Sequence, residues 1–153
     1  VLGPDEIARL DTDLAPAGTV PEGAGTARLG EPLYRGRCAH CHGPEGTGAP
    51  FDALGPGDAV PASARLVGRF WPQATTLYDY IRRAMPQTSP GTLTNDEAYA
   101  LTAYVLFLNG LVDKQQRVDG QMLRSLVLPA RDRFYESPES RRLVKKAVRN
   151  RSR

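Results

Sequence analysis

The sequence predicts an all-α fold: a small helical kernel with extended N- and C-terminal arms. Three observations predict it. Apolar residues recur at helical spacing in stretches that end on stop signals, and no stretch shows the period-two alternation of a half-buried strand. The 15 Gly and 13 Pro among 153 residues imply long irregular connections, which leaves little chain for the regular part. A chain of this length is one domain with appendages. The expected division is an extended arm over residues 1–25, a folded domain over 26–110, an extension over 111–140 and a tail over 141–153.

Residues 1–25 are rich in breakers (Pro4, Pro16, Gly18, Pro21, Gly23, Gly25) and allow at most one helical turn around Asp5 to Leu10. Thr26 can cap a helix running to about Cys38, with Leu29, Leu33 and Gly36 on related faces. Pro32 is comfortable only in a first turn, so regular helix is expected to begin nearer Gly30. Thr75 opens a second helix whose buried stripe is Leu77, Ile81 and Ala84. It stops at Met85-Pro86, since proline disfavours helical geometry in the residue before it. Thr94-Asn95-Asp96-Glu97 is a capping box. It starts the strongest helix, with Leu101, Val105 and Leu108 on one face and Asn109-Gly110 as its stop.

Both cysteines and both histidines of the chain lie in Cys38-Ala39-His40-Cys41-His42. This Cys-x-x-Cys-His order reads as covalent attachment of a c-type haem. Thiols three positions apart lie about one helical turn from each other, close enough to form thioethers to two vinyl groups of one porphyrin. His42 follows directly and can ligate the iron, while His40 is expected to face solvent. A structural zinc site wants four ligands, and no other Cys or His is present to complete one. A thioredoxin-type pair would follow a strand pattern that is absent, and a plain disulfide leaves His42 unexplained. The Gly- and Pro-dense loop from Gly43 to Pro61 is expected to wrap the His42 side. A backbone carbonyl there, with Pro50 as the candidate, would accept the His42 ring N–H and raise its basicity.

An iron capped on both faces is an electron carrier, whereas one held by a single His is open to ligands. Only Met85 and Met122 could supply a second soft ligand. Met85 follows His42 by 43 residues, enough chain to cross from one haem face to the other, and Pro86 holds it off the helix. Met122 is expected to pack. A His/Met pair raises the reduction potential.

These residues resemble the class I cytochrome c family. Gly30 and Tyr34 stand where that family packs a glycine and an aromatic of its first helix against its last helix, and Leu101 and Tyr104 look like their partners. Trp71 is similar in position to the family's tryptophan that hydrogen-bonds a haem propionate. The runs Phe70 to Pro86 and Leu93 to Tyr104 resemble the cytochrome subunit of sulfite dehydrogenases and of the related Sox sulfur dehydrogenase. The likeness extends over roughly residues 5–135. It implies a class I cytochrome c fold around one covalent haem c. It also implies a periplasmic partner with a molybdenum cofactor, the sulfite dehydrogenase catalytic subunit, from which the cytochrome takes electrons one at a time for a downstream cytochrome or oxidase. Sox cytochromes of this kind typically carry two haem domains, and a single Cys-x-x-Cys-His favours the sulfite version. The arms would then wrap the partner.

Periplasmic placement, with a signal peptide removed before Val1, is the matching expectation, because haem attachment of this kind occurs outside the bacterial cytoplasm. No apolar run approaches the length of a membrane span. Residues 141–153 carry seven basic groups and no acid, so the rest of the chain is net acidic although the whole is +3. That tail lacks aromatics beside its charges, which gives nucleic acid little purchase. With both histidines in the motif, independent acid-base catalysis has no basis. Two other readings stay open: a freestanding shuttle to a terminal oxidase, and a sensor or enzyme with an open iron site.

Overall fold

The structure, a computed structural model, describes residues 3, 20–134 and 138. The turn expected around Asp5 to Leu10 and the basic tail 141–153 lie outside the described residues. Helix α1 spans Ala27–Arg37, and the Thr26 hydroxyl accepts a hydrogen bond from the Leu29 amide at 3.3 Å. It begins at Ala27, not near Gly30. Ala27, Gly30 and Tyr34 turn inward while Pro32 lies on the exposed side, so packing of the inner face offsets the one hydrogen bond that the proline forfeits.

A single turn, α2 (Ala39–His42), follows. Helix α3 (Ala74–Ala84) starts one residue earlier than expected, buries Leu77 and Ile81, and ends with the Met85 amide on the Ile81 carbonyl. Helix α4 (Asn95–Leu108) has both halves of its capping box: the Thr94 hydroxyl accepts from the Glu97 amide and the Glu97 carboxylate accepts from the Thr94 amide. Its residues Ala98 to Leu106 are buried without a break, so α4 is the central post of the core.

α1 crosses α4 at glycine. A Cβ on Gly30 would fall 2.6 Å from the Ala100 carbonyl carbon and 2.9 Å from the Tyr104 Cβ, so only glycine allows this approach. Tyr34 and Tyr104 meet beside it with ring centroids 5.0 Å apart. The backbone partner at the crossing is Ala100, where Leu101 had been expected. Leu101 lies in the core nearby.

The expected absence of strands is corrected by one small ladder. β1 (Ala24–Gly25) pairs antiparallel with β2 (Val118–Asp119). Two-residue strands are too short to show a period. The ladder also shows that the boundaries expected at 25/26 and 110/111 do not divide the fold. Val20 is buried, and the Tyr99 hydroxyl donates to the Pro21 carbonyl at 2.7 Å. Beyond residue 110, Val112, Val118, Leu123, Leu128 and Ala130 all enter the core. Helix α5 (Gly120–Ser125), capped by Asp119, packs on α3. Val127 then bridges to Gln73, and a 3₁₀ turn over Arg131–Arg133 sets Phe134 edge-on against Phe70 at 5.6 Å. Among the described residues no helix is long and apolar enough to cross a membrane.

Candidate haem site

The motif sits at the joint between α1 and α2. The Cys38 amide bonds the Tyr34 carbonyl at 2.8 Å, and the Cys41 and His42 amides both bond the Cys38 carbonyl at 3.0 Å, so one helical turn spaces the two thiols. Both are free and half-buried. Burial pushes the Cys38 thiol up to about 11, against the opposing pull of Arg37. Among the described residues no group of three or more His, Cys, Asp or Glu is placed to hold a metal ion.

The His42 ring is oriented by its backbone surroundings. Its Nδ1 lies 2.7 Å from the Asp52 carbonyl oxygen. A carbonyl only accepts, so Nδ1 carries the proton and Nε2 keeps the lone pair for a metal. The carbonyl expected from Pro50 is thus Asp52's. The loop turns back through Gly43, Gly46 and Gly48, with φ of 79°, 75° and 93°, and lays Pro50 in a backbone bridge beside His42. The Gly48 amide bonds the His42 carbonyl and the Phe51 amide bonds the Cys41 carbonyl, each at 2.9 Å. Two residues past Pro50, the Asp52 carbonyl meets the ring.

The loop is fixed at both ends. Buried Tyr34 donates its hydroxyl to the Gly43 carbonyl at 2.7 Å. Asn109 Nδ2 donates to the Leu54 carbonyl at 2.7 Å and to the Val105 carbonyl at 2.8 Å, while its Oδ1 accepts from the Gly68 amide at 3.0 Å. The sequence marks Asn109 only as a helix stop. Its amide, which a glycine cap would lack, is the one sign of this further role.

Met85 occupies the cap position after α3, in extended backbone (φ −113°, ψ 149°) and half-buried. The last turn of α3 is held by Asp79, only 5% exposed, which pairs with Arg83 at 2.8 Å and Arg82 at 3.6 Å. A cavity of about 380 Å³ is lined by Gly36, Arg37, His40, Pro86, Thr88, Ser89 and Thr92. The chain just after Met85 therefore faces the motif helix across that space. A second cavity of about 350 Å³, lined by Asp52, Ala53, Ser63, Ala64 and Arg65, opens on the Asp52 side. Trp71 is half-buried, and its Nε1–H donates to the Arg65 carbonyl at 3.1 Å. The segment before it curls back on itself, with Arg69 bonding the Ala64 and Pro61 carbonyls, so the indole N–H has a backbone acceptor here.

Two free thiols one helical turn apart, followed by an imidazole with Nδ1 engaged and Nε2 left over, fit a covalently held haem c as a donor set. Comparison with known proteins agrees. The family described as cytochrome c oxidase, cbb3-type, subunit III matches residues 25–105. Among solved structures, the chain is similar to the sulfane dehydrogenase SoxCD from Paracoccus pantotrophus, at 32% identity and a TM-score of 0.76, over 93% of this chain and 72% of that one. No curated protein gave a match. The chain belongs to the family described as cytochrome c oxidase, cbb3-type, subunit III, and is a cytochrome c domain.

Proposed function

We propose that this chain is a periplasmic monohaem cytochrome that accepts electrons one at a time from the molybdenum-containing catalytic subunit of a sulfite dehydrogenase and passes them to a downstream cytochrome or oxidase. One observation carries the electron-transfer reading: the His42 tautomer is fixed by the Asp52 carbonyl at 2.7 Å, in a domain that also delivers Met85 next to a cavity shared with the motif. Cys38 and Cys41 would hold the group as thioethers, and His42 Nε2 and the Met85 sulfur would be the iron ligands. When bound, haem c supplies a reversible one-electron couple. The chain's own work is to keep the ligands in place. The Nδ1–H bond to Asp52 makes the imidazole a stronger donor. The Asp79 ion pairs and the Asn109 bonds fix the backbone on which Met85 and Asp52 are carried.

The test is the optical spectrum of the ferric protein. A weak near-infrared band, from sulfur bound to iron, is expected in the native protein and should vanish in Met85→Ala. Rapid carbon monoxide binding by the native ferrous protein, with no such band, would overturn the reading in favour of an open iron site.

The likeness to the sulfane dehydrogenase SoxCD supports a second reading of the substrate, with a sulfane-oxidising partner in place of a sulfite-oxidising one. Sulfite should reduce the cytochrome when its molybdenum subunit is present. Reduction by a sulfane-sulfur substrate but not by sulfite would select the second reading.

A further inference from the structure

Part of the charge on the described surface is neutralised in local ion pairs. Arg35 and Lys114 pair with Glu31, Arg37 with Glu97, Arg82 and Arg83 with Asp79, and Arg117 with Asp119. Six described arginines, Arg28, Arg65, Arg69, Arg124, Arg131 and Arg133, have no such carboxylate partner. Four of them, Arg65, Arg69, Arg131 and Arg133, belong to the two segments that bring the exposed rings of Phe70 and Phe134 together. The Arg65 guanidinium stands 5.1 Å over the Phe70 ring, and Phe70 meets Phe134 edge-on at 5.6 Å. Arg133 reaches the Arg69 carbonyl at 3.5 Å, and Arg131 belongs to the same 3₁₀ turn, whose carbonyl accepts the Phe134 amide. Asp132, between Arg131 and Arg133, is the one acid within the turn, and Asp52 lines the second cavity together with Arg65.

The rings stay outside. Phe70 is 40% exposed, Phe134 48% and nearby Val127 60%. Solvated apolar surface beside cations that have no carboxylate partner is the composition of an interface rather than of an idle face. The patch also adjoins the site. Its Arg65 lines the same cavity as Asp52, whose carbonyl orients His42. Past Phe134 the sequence continues the same charge, with seven basic groups against two acids over residues 135–153.

We infer that the face formed by Phe70, Phe134, Arg65, Arg69, Arg131 and Arg133 is where a redox partner docks, and that the partner is a protein presenting carboxylates around an apolar spot. This rests on the electron-transfer reading. Arginine is suited to such a surface because its fork meets carboxylates in pairs and its plane stacks on rings, and charge of this kind mainly raises the encounter rate.

The experiment uses the haem-loaded full chain and two small redox probes of opposite charge, ferricyanide (anionic) and a cobalt(III) phenanthroline complex (cationic). Arg131→Glu/Arg133→Glu should slow oxidation of the ferrous protein by ferricyanide about tenfold at low salt and speed oxidation by the cobalt complex, with both effects fading as the Debye length shrinks. Opposite signs for the two probes separate a field effect from damage to the fold. Arg28→Glu/Arg117→Glu makes the same charge change away from the patch and should alter either rate less than twofold. In parallel, the paramagnetic anion hexacyanochromate should broaden the ring-proton signals of Phe70 and Phe134 first.

Equal effects of the two double variants, or broadening centred on the His40 cavity, would overturn the docking face while leaving the cytochrome an electron carrier. A protein that ferricyanide cannot oxidise and dithionite cannot reduce reversibly would overturn the electron-transfer reading itself. Binding to phosphatidylglycerol vesicles that is lost in Arg131→Glu/Arg133→Glu, with the probe rates unmoved, would reassign the patch to a lipid surface.

Discussion

Replacing Gly30 with alanine puts a methyl group where the backbone of α4 already runs. The added carbon would lie 2.6 Å from the Ala100 carbonyl carbon and 2.9 Å from the Tyr104 Cβ. Carbon atoms rest at ~3.5–4.0 Å, so the helices must separate by roughly 1 Å. The obstacle is backbone in the middle of a buried helix, which cannot swing aside as a side-chain tip can. Overpacking of this sort costs about 1–3 kcal/mol, and immovable backbone places it at the top of that range. Alanine recovers up to about 1 kcal/mol through helix propensity. The net loss is about 2 kcal/mol, and at roughly 3–4 °C per kcal/mol for a chain of this size it lowers Tm by about 7 °C. Thermal unfolding of the haem-loaded protein, followed by far-ultraviolet circular dichroism, measures it directly. An unchanged or raised Tm in Gly30→Ala would show that the α1–α4 crossing is not the close contact described, and the placement of the motif by that crossing would go with it.

Three further outcomes are expected. Asn109→Ala removes bonds to Leu54, Val105 and Gly68. At about 0.5–1.5 kcal/mol each it should cost roughly 2–4 kcal/mol, and amide exchange should quicken over residues 43–55 before it does in α4. Uniform acceleration would deny Asn109 its specific hold on the loop. Thr94→Ala loses the α4 cap at a cost of about 1 kcal/mol, read from denaturant unfolding, and a shift near zero would refute the box. The backbone N–H of Thr94 first, then its hydroxyl and Arg37, hold the Glu97 carboxyl below its usual range. A carboxyl lowered by folding lends stability above the ordinary carboxylate range and loses it as pH falls through the folded value. The Tm advantage of the native protein over Glu97→Gln should therefore be greatest near neutrality and shrink in acid. An advantage that grows in acid would reverse the sign.

Where function lies close to sequence, the chain is readable. Thr26 and Thr94 announce their helices because capping is a local bond, and Met85-Pro86 ends α3 because the proline ring clash is local too. The motif states its own chemistry in five residues. What escaped depends on distant partners. Pro32 argues locally against helix at Ala27, yet α1 starts there because Gly30 and Tyr34 seat it on α4. The acceptor for His42 is Asp52 instead of Pro50 because three left-handed glycines set how far the loop has returned before it meets the ring. The β1–β2 ladder joins residues about ninety apart in sequence, with no pattern in either strand to betray it. Trp71 turns to the Arg65 carbonyl because the chain before it coils back, and composition does not show that either.

The ladder and the buried residues that follow it bear on how the protein can be cut. The family match ends at residue 105, which invites a shortened version stopping just after α4. Such a fragment would keep every residue of the motif and Met85, yet lose Val118 opposite Gly25, α5 against α3, and Leu123, Leu128 and Ala130 from the interior. An autonomous folding unit therefore has to include at least the span from about Val20 to about Ala130. The segment after residue 110 is a second half of the hull closed over α3, and shortened versions that stop before it should expose α3 to water and fold poorly even with the cofactor attachment sequence intact.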